Sequence, residues 1–314
     1  MTRKLPTTKQ LRYFTALAEH RHFGQAAQAC FVSQSAFSSA IRELESQLEV
    51  QLVDRTNRQV TITAVGQEVA TQARLCLRDI EDLVNVARTH QEPLAGPLRL
   101  GVIPTIAPFL LPKILPVARK AFPKLKLFLR EDTTEALHAQ LIAGDLDLIL
   151  IAFPYELRKV EIKRLFKDPF LLACRQGTRL VDPKNYRFNR LNADSVLLLE
   201  DGHCLREHAI DACRLRNMET VSRFAASSLL TLVEMVDADL GITFLPGMAE
   251  GSAMLRNTRV KTYPLSDGSH REIGLAWRKG SSRAEEFGRL GDLIAECNSS
   301  LDGNRSHKTL SVVN

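Results

Sequence analysis

Residues 23–48 read FGQAAQACFVSQSAFSSAIRELESQL, and this stretch predicts two helices joined by a tight turn. Gly24 precedes a short alanine-rich segment, and Ser33 is placed to cap a second helix, from Gln34 to about Leu48. On the second helix, apolar residues at spacings of three and four form a stripe for burial: Ala36, Phe37, Ala40, Ile41, Leu44 and Leu48. The pattern is typical of a helix-turn-helix unit.

The opposite face of the second helix carries small polar residues and one arginine: Ser35, Ser38, Ser39 and Arg42. Such a face suits a helix lying deep in the major groove of DNA, because bulky or acidic residues there would clash with bases or repel phosphates. Glu43, Glu45 and Glu49 come only where the helix would leave the groove. The spacing alone also fits a small helical domain with a polar face and no DNA.

A short hairpin is predicted after these helices, with strands at residues 52–55 and 59–62. Arg55 and Arg58 lie at or beside its tip, where they can contact phosphates or the minor groove. The chain holds eight basic and five acidic residues through Ile62, a modest positive excess that suits an anionic partner. Residues 1–62 are therefore predicted to form a winged helix-turn-helix DNA-binding domain.

Residues 63–92 are predicted to form a linker helix. Apolar side chains recur there at alternating spacings of four and three, as in a coiled-coil seam: Val69, Ala73, Cys76, Ile80, Leu83 and Ala87. Such a seam would join two chains in a homodimer, whose two winged helices could then bind two half-sites of DNA. The alternative is a single amphipathic helix packed on its own domain.

From residue 93 the chain alternates between short apolar strands and amphipathic helices, which predicts an α/β regulatory domain over 93–300 with a parallel sheet flanked by helices. Two sets of elements indicate two subdomains. Subdomain I covers 93–165 and 269–300, subdomain II covers 166–268, and a flexible tail is expected over 301–314.

Three stretches, 23–27, 32–38 and 41–45, resemble the helix-turn-helix signature of LysR-type transcriptional regulators, and GDLD at 144–147 and LGITFLP at 240–246 resemble landmarks of that family's regulatory domain. The resemblance implies a periplasmic-binding-protein-like domain with two subdomains around a cleft. It implies that promoter DNA is read by Gln34, Ser35, Ser38 and Arg42, with Arg55 and Arg58 in support. It also implies a homodimer or homotetramer that works with RNA polymerase.

Two residues depart from the family pattern. Phe37 stands where leucine is more usual, an apolar exchange that leaves the predicted base contacts unchanged. Asp239 stands where the family usually has glycine at a helix end, so this aspartate is expected in the left-handed backbone conformation.

Cys204 has His203 and Arg206 beside it, and positive charge near sulfur favours the reactive thiolate, although nearby carboxylates oppose this. Cys213 follows nine residues later. If the segment between them were one helix, the thiols would lie on opposite faces about 13 Å apart along its axis. A disulfide needs Cα atoms within about 7 Å, so this pair would bond only after part of the helix unwound. The alternative is two buried cysteines in a core helix.

The stretches LEDGHCLR at 199–206 and GVIPTIAP at 101–108 resemble peroxide-sensing members of the LysR family. That resemblance implies that Cys204 reacts with hydrogen peroxide and that Cys213 resolves it into a reversible disulfide controlling oxidative-stress genes. It also implies a peroxide pocket shaped by Thr105, Thr134, His203, Arg206 and Ser228. The sequence does not decide between Thr134 and its neighbour Thr133, or between Ser228 and its neighbour Ser227.

Composition and motifs limit the remaining function classes. The chain of 314 residues has a net charge of +6, no apolar run long enough to span a bilayer and no signal-peptide pattern, so a cytoplasmic location is expected. No metal cluster, nucleotide loop or hydrolase triad is evident, and neither a cofactor nor enzyme activity is expected. Two rivals remain: a LysR-type regulator that binds a metabolite in its cleft, with structural cysteines, and a thiol-peroxidase-like enzyme.

Overall fold

The computed structural model describes residues 5–56, 59–89, 94–183, 185, 191–212, 220–266 and 268–309. The chain divides into two units, one formed by residues 1–92 with 142–145 and the other by residues 93–141 with 146–314. No helix in the described ranges is long and apolar enough to cross a membrane.

The first unit is built from helices and one hairpin: α1 (Thr8–His20), α2 (Phe23–Ala29), α3 (Gln34–Leu48), β1 (Val53–Thr56), β2 (Gln59–Ile62) and α4 (Ala64–Thr89). The predicted helix-turn-helix and wing are thus both present. Ser33 caps α3 as predicted, because its hydroxyl accepts a hydrogen bond of 3.3 Å from the Ala36 amide. The wing strands β1 and β2 pair antiparallel.

The core of this unit forms where α1, α2 and α3 meet. Phe37, Ile41 and Leu44 of α3 are fully buried there, and Phe37 stacks on Tyr13 of α1 at 5.1 Å between ring centroids. One position of the predicted stripe is wrong, since Ala36 is exposed. Ala36 lies in the first turn of α3.

The second unit begins with three parallel strands separated by helices: β3 (Gly96–Val102), α5 (Ala107–Ala121), β4 (Leu125–Glu131), α6 (Thr134–Ala143) and β5 (Leu148–Phe153). All six residues of β5 are buried, as expected of a central strand. The return strand β11 (His270–Arg278) pairs antiparallel with β5, so the sheet is mixed rather than wholly parallel.

A second set of elements follows the long strand β6 (Val160–Arg175): β7 (Val196–Leu199), α7 (Cys204–Ala212), β8 (Val221–Ala226), α8 (Leu229–Asp237), β9 (Thr243–Pro246), a 3-10 turn (Gly247–Ala249), α9 (Ala253–Arg256) and β10 (Val260–Pro264). The first half of β6 pairs with β11, and its second half pairs with β9 and β10. Strand β6 therefore belongs to both halves of the regulatory domain. The crossing lies near Asp168, which is directly opposite Arg271 on β11.

The last helix, α10 (Ala284–Thr309), packs Phe287, Leu290 and Ile294 into the core. The predicted tail, 301–314, begins inside this helix, which continues to Thr309. No proline follows Ala284 to end it. Residues 310–314 lie outside the described residues.

Asp239 has a φ of +63°, so it occupies the left-handed conformation expected where the family has glycine. Aspartate enters this region more readily than most non-glycine residues. One carboxylate oxygen lies 3.8 Å from the Arg175 guanidinium on β6.

Candidate functional sites

Cys204 is the first residue of α7 and follows a turn that leaves the end of β7. Its side chain is buried, with 5% of its surface exposed. The thiol borders a narrow crevice formed by the segment after β3, the start of α6 and the turn before α7: Ile103, Pro104, Thr105, Thr133, Thr134, Gly202, His203 and Cys204. Three elements distant in sequence thus bring Thr105, Thr134 and His203 to the cysteine.

The structure distinguishes the two adjacent threonines. The Thr133 hydroxyl accepts a hydrogen bond of 3.4 Å from the Ala136 amide and so stabilises the start of α6. The Thr134 hydroxyl is buried and makes no hydrogen bond of standard geometry within the described part of the chain. It nevertheless lies close enough to the Cys204 thiol to lower its pKa, so Thr134 is the threonine that acts on the sulfur.

The thiol of Cys204 is held mainly in its protonated form. Burial raises its pKa above the ordinary value and outweighs the other influences. The positive charge of Arg271 and the Thr134 hydroxyl lower the pKa, while the carboxylate of Glu207 raises it. The reduced protein therefore presents a neutral thiol beside groups that favour the thiolate.

Arg271 is the cation that acts on Cys204, and its side chain is fully buried. Its Nε donates to Asp168 Oδ2 at 2.9 Å, and its two terminal nitrogens donate to Thr105 Oγ1 at 2.8 Å and to the Thr105 carbonyl at 2.9 Å. The guanidinium thus fixes the backbone and the hydroxyl of a pocket residue. Sequence reasoning missed Arg271, because nothing in its local sequence shows that a strand residue faces a cysteine 67 positions earlier.

Arg206, predicted to shape the pocket, lies elsewhere. Its Nε contacts Asp201 Oδ1 at 2.9 Å, and its Nη1 donates to the Leu199 carbonyl at 3.1 Å. These bonds brace the turn between β7 and α7. The guanidinium is not among the described groups that line the pocket or perturb the thiol.

Ser228 caps α8 by accepting a hydrogen bond of 3.2 Å from the Thr231 amide. It lines a second, larger cavity of about 360 Å³, to which Thr105 and His203 also contribute. Ser228 therefore belongs to this larger cleft, next to the cysteine pocket rather than in it. The cleft is the place where a small ligand would fit.

Five cysteines in the described ranges are free thiols: Cys30, Cys76, Cys174, Cys204 and Cys297. Cys213 lies outside the described residues, so its predicted partnership with Cys204 stays a prediction. The described residues contain no group of metal-ligating side chains.

The predicted DNA-reading face lies on α3. Gln34, Ser35 and Arg42 are exposed and Ser38 is half-buried, all clear of the buried stripe. Arg55 lies on wing strand β1, but its side chain is outside the described residues, as is the whole of Arg58. The exposed face of α3 thus carries small polar side chains and one cation.

The predicted seam on α4 divides into two parts. Val69 packs against the helix-turn-helix core and Ala73 is buried, so the first turns serve their own domain. Cys76, Ile80 and Leu83 are exposed, and 69% of the Leu83 side chain faces solvent. The side chain of Ala87 lies outside the described residues. The later turns therefore carry an apolar surface available to a second chain.

Family models account for almost the whole chain. The bacterial regulatory helix-turn-helix of the lysR family matches residues 8–67, and the LysR substrate binding domain matches residues 91–297. The chain belongs to the LysR family. It is a DNA-binding transcriptional regulator in which a winged helix-turn-helix precedes a two-subdomain α/β effector domain.

Three curated relatives of this LysR-family chain span nearly its full length. The HTH-type transcriptional regulator EstR of Acinetobacter baylyi is 37% identical over 95% of this chain and 99% of its own. The DNA-binding transcriptional dual regulator OxyR of Escherichia coli is 39% identical over 91% of this chain and 94% of its own. The predicted resemblance to peroxide-sensing members of the LysR family is confirmed, since the hydrogen peroxide-inducible genes activator of Dickeya chrysanthemi is 38% identical over 92% of this chain and 94% of its own.

Solved structures of OxyR match the same LysR architecture. A cysteine-to-aspartate variant of full-length OxyR from Pseudomonas aeruginosa is 32% identical, with a TM-score of 0.77 over 93% of this chain and 95% of that chain. A cysteine-to-serine variant of Corynebacterium glutamicum OxyR, solved with hydrogen peroxide bound, is 32% identical, with a TM-score of 0.64 over 95% of this chain and 94% of that one.

Proposed function

We propose that this LysR-family regulator senses hydrogen peroxide through Cys204 and controls oxidative-stress genes as a cytoplasmic homodimer or homotetramer working with RNA polymerase. One observation carries the proposal: a buried thiol shares a narrow pocket with three threonines and a histidine, while the buried cation Arg271 acts on it. The similarity to OxyR proteins, one of them solved with hydrogen peroxide bound, supports it.

The first step oxidises the cysteine. The sulfur of Cys204 attacks one oxygen of hydrogen peroxide, the O–O bond breaks, and the sulfur becomes a sulfenic acid. The thiol proton goes to the departing oxygen, which leaves as water. The Thr134 hydroxyl can donate a hydrogen bond to the sulfur or the peroxide, and the charge of Arg271 stabilises the thiolate as it forms.

The second step forms the disulfide. The thiol of Cys213 attacks the Cys204 sulfur, displaces the hydroxyl and releases a second water. Helix α7 runs unbroken over nine residues from Cys204 to Ala212, so its first and last residues lie about 12 Å apart along its axis. A disulfide with the next residue is incompatible with that helix, so oxidation must unwind α7. The unwinding is the conformational change that we expect to reach the DNA-binding domains.

The variant Cys204→Ser tests the assignment in cells. It is expected to bind promoter DNA and to lose induction by peroxide. The matched control is Cys297→Ser, which removes a half-buried thiol far along the chain in α10 and leaves induction intact. Full induction in Cys204→Ser would refute the redox assignment.

A second candidate function rests on the larger cleft. Its volume of about 360 Å³ accommodates a small metabolite. A compound that changes operator affinity in Cys204→Ser protein would favour this metabolite-binding regulator. Peroxide consumption far above one equivalent per chain would instead favour a peroxidase.

A further inference from the structure

His208 lies one helical turn after Cys204 on α7, so the two side chains share a face of that helix. The imidazole is 5% exposed, and its Nε2 lies 2.7 Å from the carbonyl oxygen of Pro154. Pro154 directly follows β5, in the first set of strands. This hydrogen bond therefore fastens the helix that carries Cys204 to a strand end 54 residues away.

The hydrogen bond defines the protonation of the ring. A carbonyl oxygen only accepts, so Nε2 carries the proton and donates it, which leaves Nδ1 as the bare nitrogen of a neutral imidazole. Nδ1 is buried and has no hydrogen-bond partner among the described residues. A proton added to Nδ1 would create a charge with no partner, in a site shielded from water.

The groups around His208 shift its pKa in both directions. Burial lowers the pKa of His208, the Pro154 hydrogen bond raises it, Arg271 on β11 lowers it, and Glu207 and Asp211 on α7 raise it. Burial prevails, so the folded ring stays neutral below the pH at which a free histidine takes up a proton.

We propose that His208 is a positioning residue whose neutral ring holds α7, and with it Cys204, in the reduced arrangement. Disulfide formation releases this ring from Pro154, and the release makes oxidation of the cysteine pair easier in acid. The proposal rests on the peroxide-sensing function above. Once α7 unwinds, His208 leaves Pro154 and titrates as a free imidazole, near pH 6.5. The oxidised chain then binds one more proton than the reduced chain at mildly acidic pH, and that proton favours the oxidised form.

Thiol exchange with glutathione isolates this effect. One glutathione disulfide and two protein thiols become one protein disulfide and two glutathione thiols, so the reaction consumes no proton of its own. Ordinary carboxylates, arginines and tyrosines titrate outside pH 5.5 to 7.5. A proton taken up by the released His208 raises the equilibrium constant for oxidation by up to about tenfold between pH 7.5 and pH 5.5, the full rise occurring when the reduced ring stays neutral throughout.

The experiment equilibrates the full-length protein with glutathione redox buffers from pH 5.5 to 7.5 and counts the Cys204–Cys213 crosslink by mass spectrometry. Wild-type protein is expected to show the tenfold rise toward low pH. His208→Gln retains an N–H donor for Pro154 but does not titrate, so its equilibrium constant should stay flat. His208→Asn is too short to reach Pro154, so it should be flat and shifted toward oxidation at every pH.

His138→Gln is the matched control, because His138 also contacts a carbonyl oxygen, that of Arg158 at 3.1 Å, but is only half-buried and lies on α6 rather than α7. It should keep the wild-type slope. A flat wild-type response in protein that does form the crosslink overturns the role of His208, and so does an unchanged slope in His208→Gln. If no crosslink forms at any pH, the peroxide-sensing function itself fails, and this proposal fails with it.

Discussion

Arg271 and Asp168 form a buried ion pair, with Nε 2.9 Å from Oδ2, at the point where β6 and β11 cross between the two halves of the regulatory domain. The same guanidinium donates twice to Thr105, and the other Asp168 oxygen accepts a hydrogen bond of 3.0 Å from the Met248 amide. One charged network thus connects the pocket wall, the crossing strands and the segment after β9. The charge that acts on Cys204 is held rigidly by these contacts.

Substituting Arg271 and substituting Asp168 should have opposite effects on the reactivity of Cys204. Arg271→Gln removes the cation, so the thiol pKa rises further and the pH profile of Cys204 alkylation moves to higher pH. Asp168→Asn leaves the cation without its counter-charge, so the pKa falls and the profile moves to lower pH. Site-resolved mass spectrometry of iodoacetamide-treated protein measures both profiles.

Each of these variants leaves one buried charge unpaired and is expected to lower the free energy of unfolding by about 3–5 kcal/mol. The double variant Asp168→Asn with Arg271→Gln controls for that loss, because it removes both charges together. Profiles that shift in the same direction in the two single variants would show that the electrostatic account of the thiol is wrong.

Thr134 and Thr133 offer a matched test of the pocket. Thr134→Val removes a hydroxyl that makes no standard hydrogen bond, so the stability of the protein should not change. Peroxide oxidation of Cys204 should slow about tenfold, because one hydrogen bond to a developing charge contributes about 1.5 kcal/mol. Thr133→Val removes a helix cap, so the rate should hold while stability falls by about 1 kcal/mol.

Stopped-flow oxidation and thermal unfolding provide the two readouts for this pair. Slower oxidation in Thr133→Val with no change in Thr134→Val would assign the role to the other threonine. The sequence alone did not decide between these two threonines.

Leu83 tests the seam on α4. Its exposed side chain lies among the later turns that carry the predicted dimer surface, so Leu83→Glu should convert the assembly to monomers. Val65→Glu is the control, because Val65 is an exposed apolar residue on the same helix outside the seam. Sedimentation velocity measures the masses, and assembly unchanged in Leu83→Glu would remove this face from the interface.

Arg42 tests the DNA face of α3. Arg42→Ala is expected to weaken binding of promoter DNA and, if the side chain contacts a phosphate, to reduce the slope of log affinity against log salt by about one. The control is Arg289→Ala, an exposed arginine that pairs with Glu285 on α10. Fluorescence anisotropy at several salt concentrations gives the slopes, and equal affinity in wild type and Arg42→Ala would exclude a contact.

Local pattern was sufficient for much of the fold. The cap at Ser33, the apolar stripe of α3 and the wing strands all follow from residues within about fifteen positions of one another. The alternation of β3 to β5 with their helices was predictable for the same reason, whereas the left-handed backbone at Asp239 followed from the family resemblance.

The charged part of the cysteine pocket was not predictable, because it depends on contacts between residues far apart in sequence. Arg206 is two residues from Cys204, yet it braces its own turn through Asp201. Arg271 lies on β11 and reaches Thr105 across 166 positions. The balance of burial against nearby charge at Cys204 also requires the folded arrangement, and burial prevails. The predicted domain limits and the pairing with Cys213 remain predictions.

Thiol trapping tests the central claim most directly. Purified full-length protein is treated with about one equivalent of hydrogen peroxide, free thiols are blocked, and the cysteines are mapped by mass spectrometry. The account predicts a crosslink between Cys204 and Cys213 that a dithiol reductant reverses, with the other four cysteines still free. If both thiols stay free while the protein binds DNA, the account is contradicted and the metabolite-binding cleft becomes the better explanation.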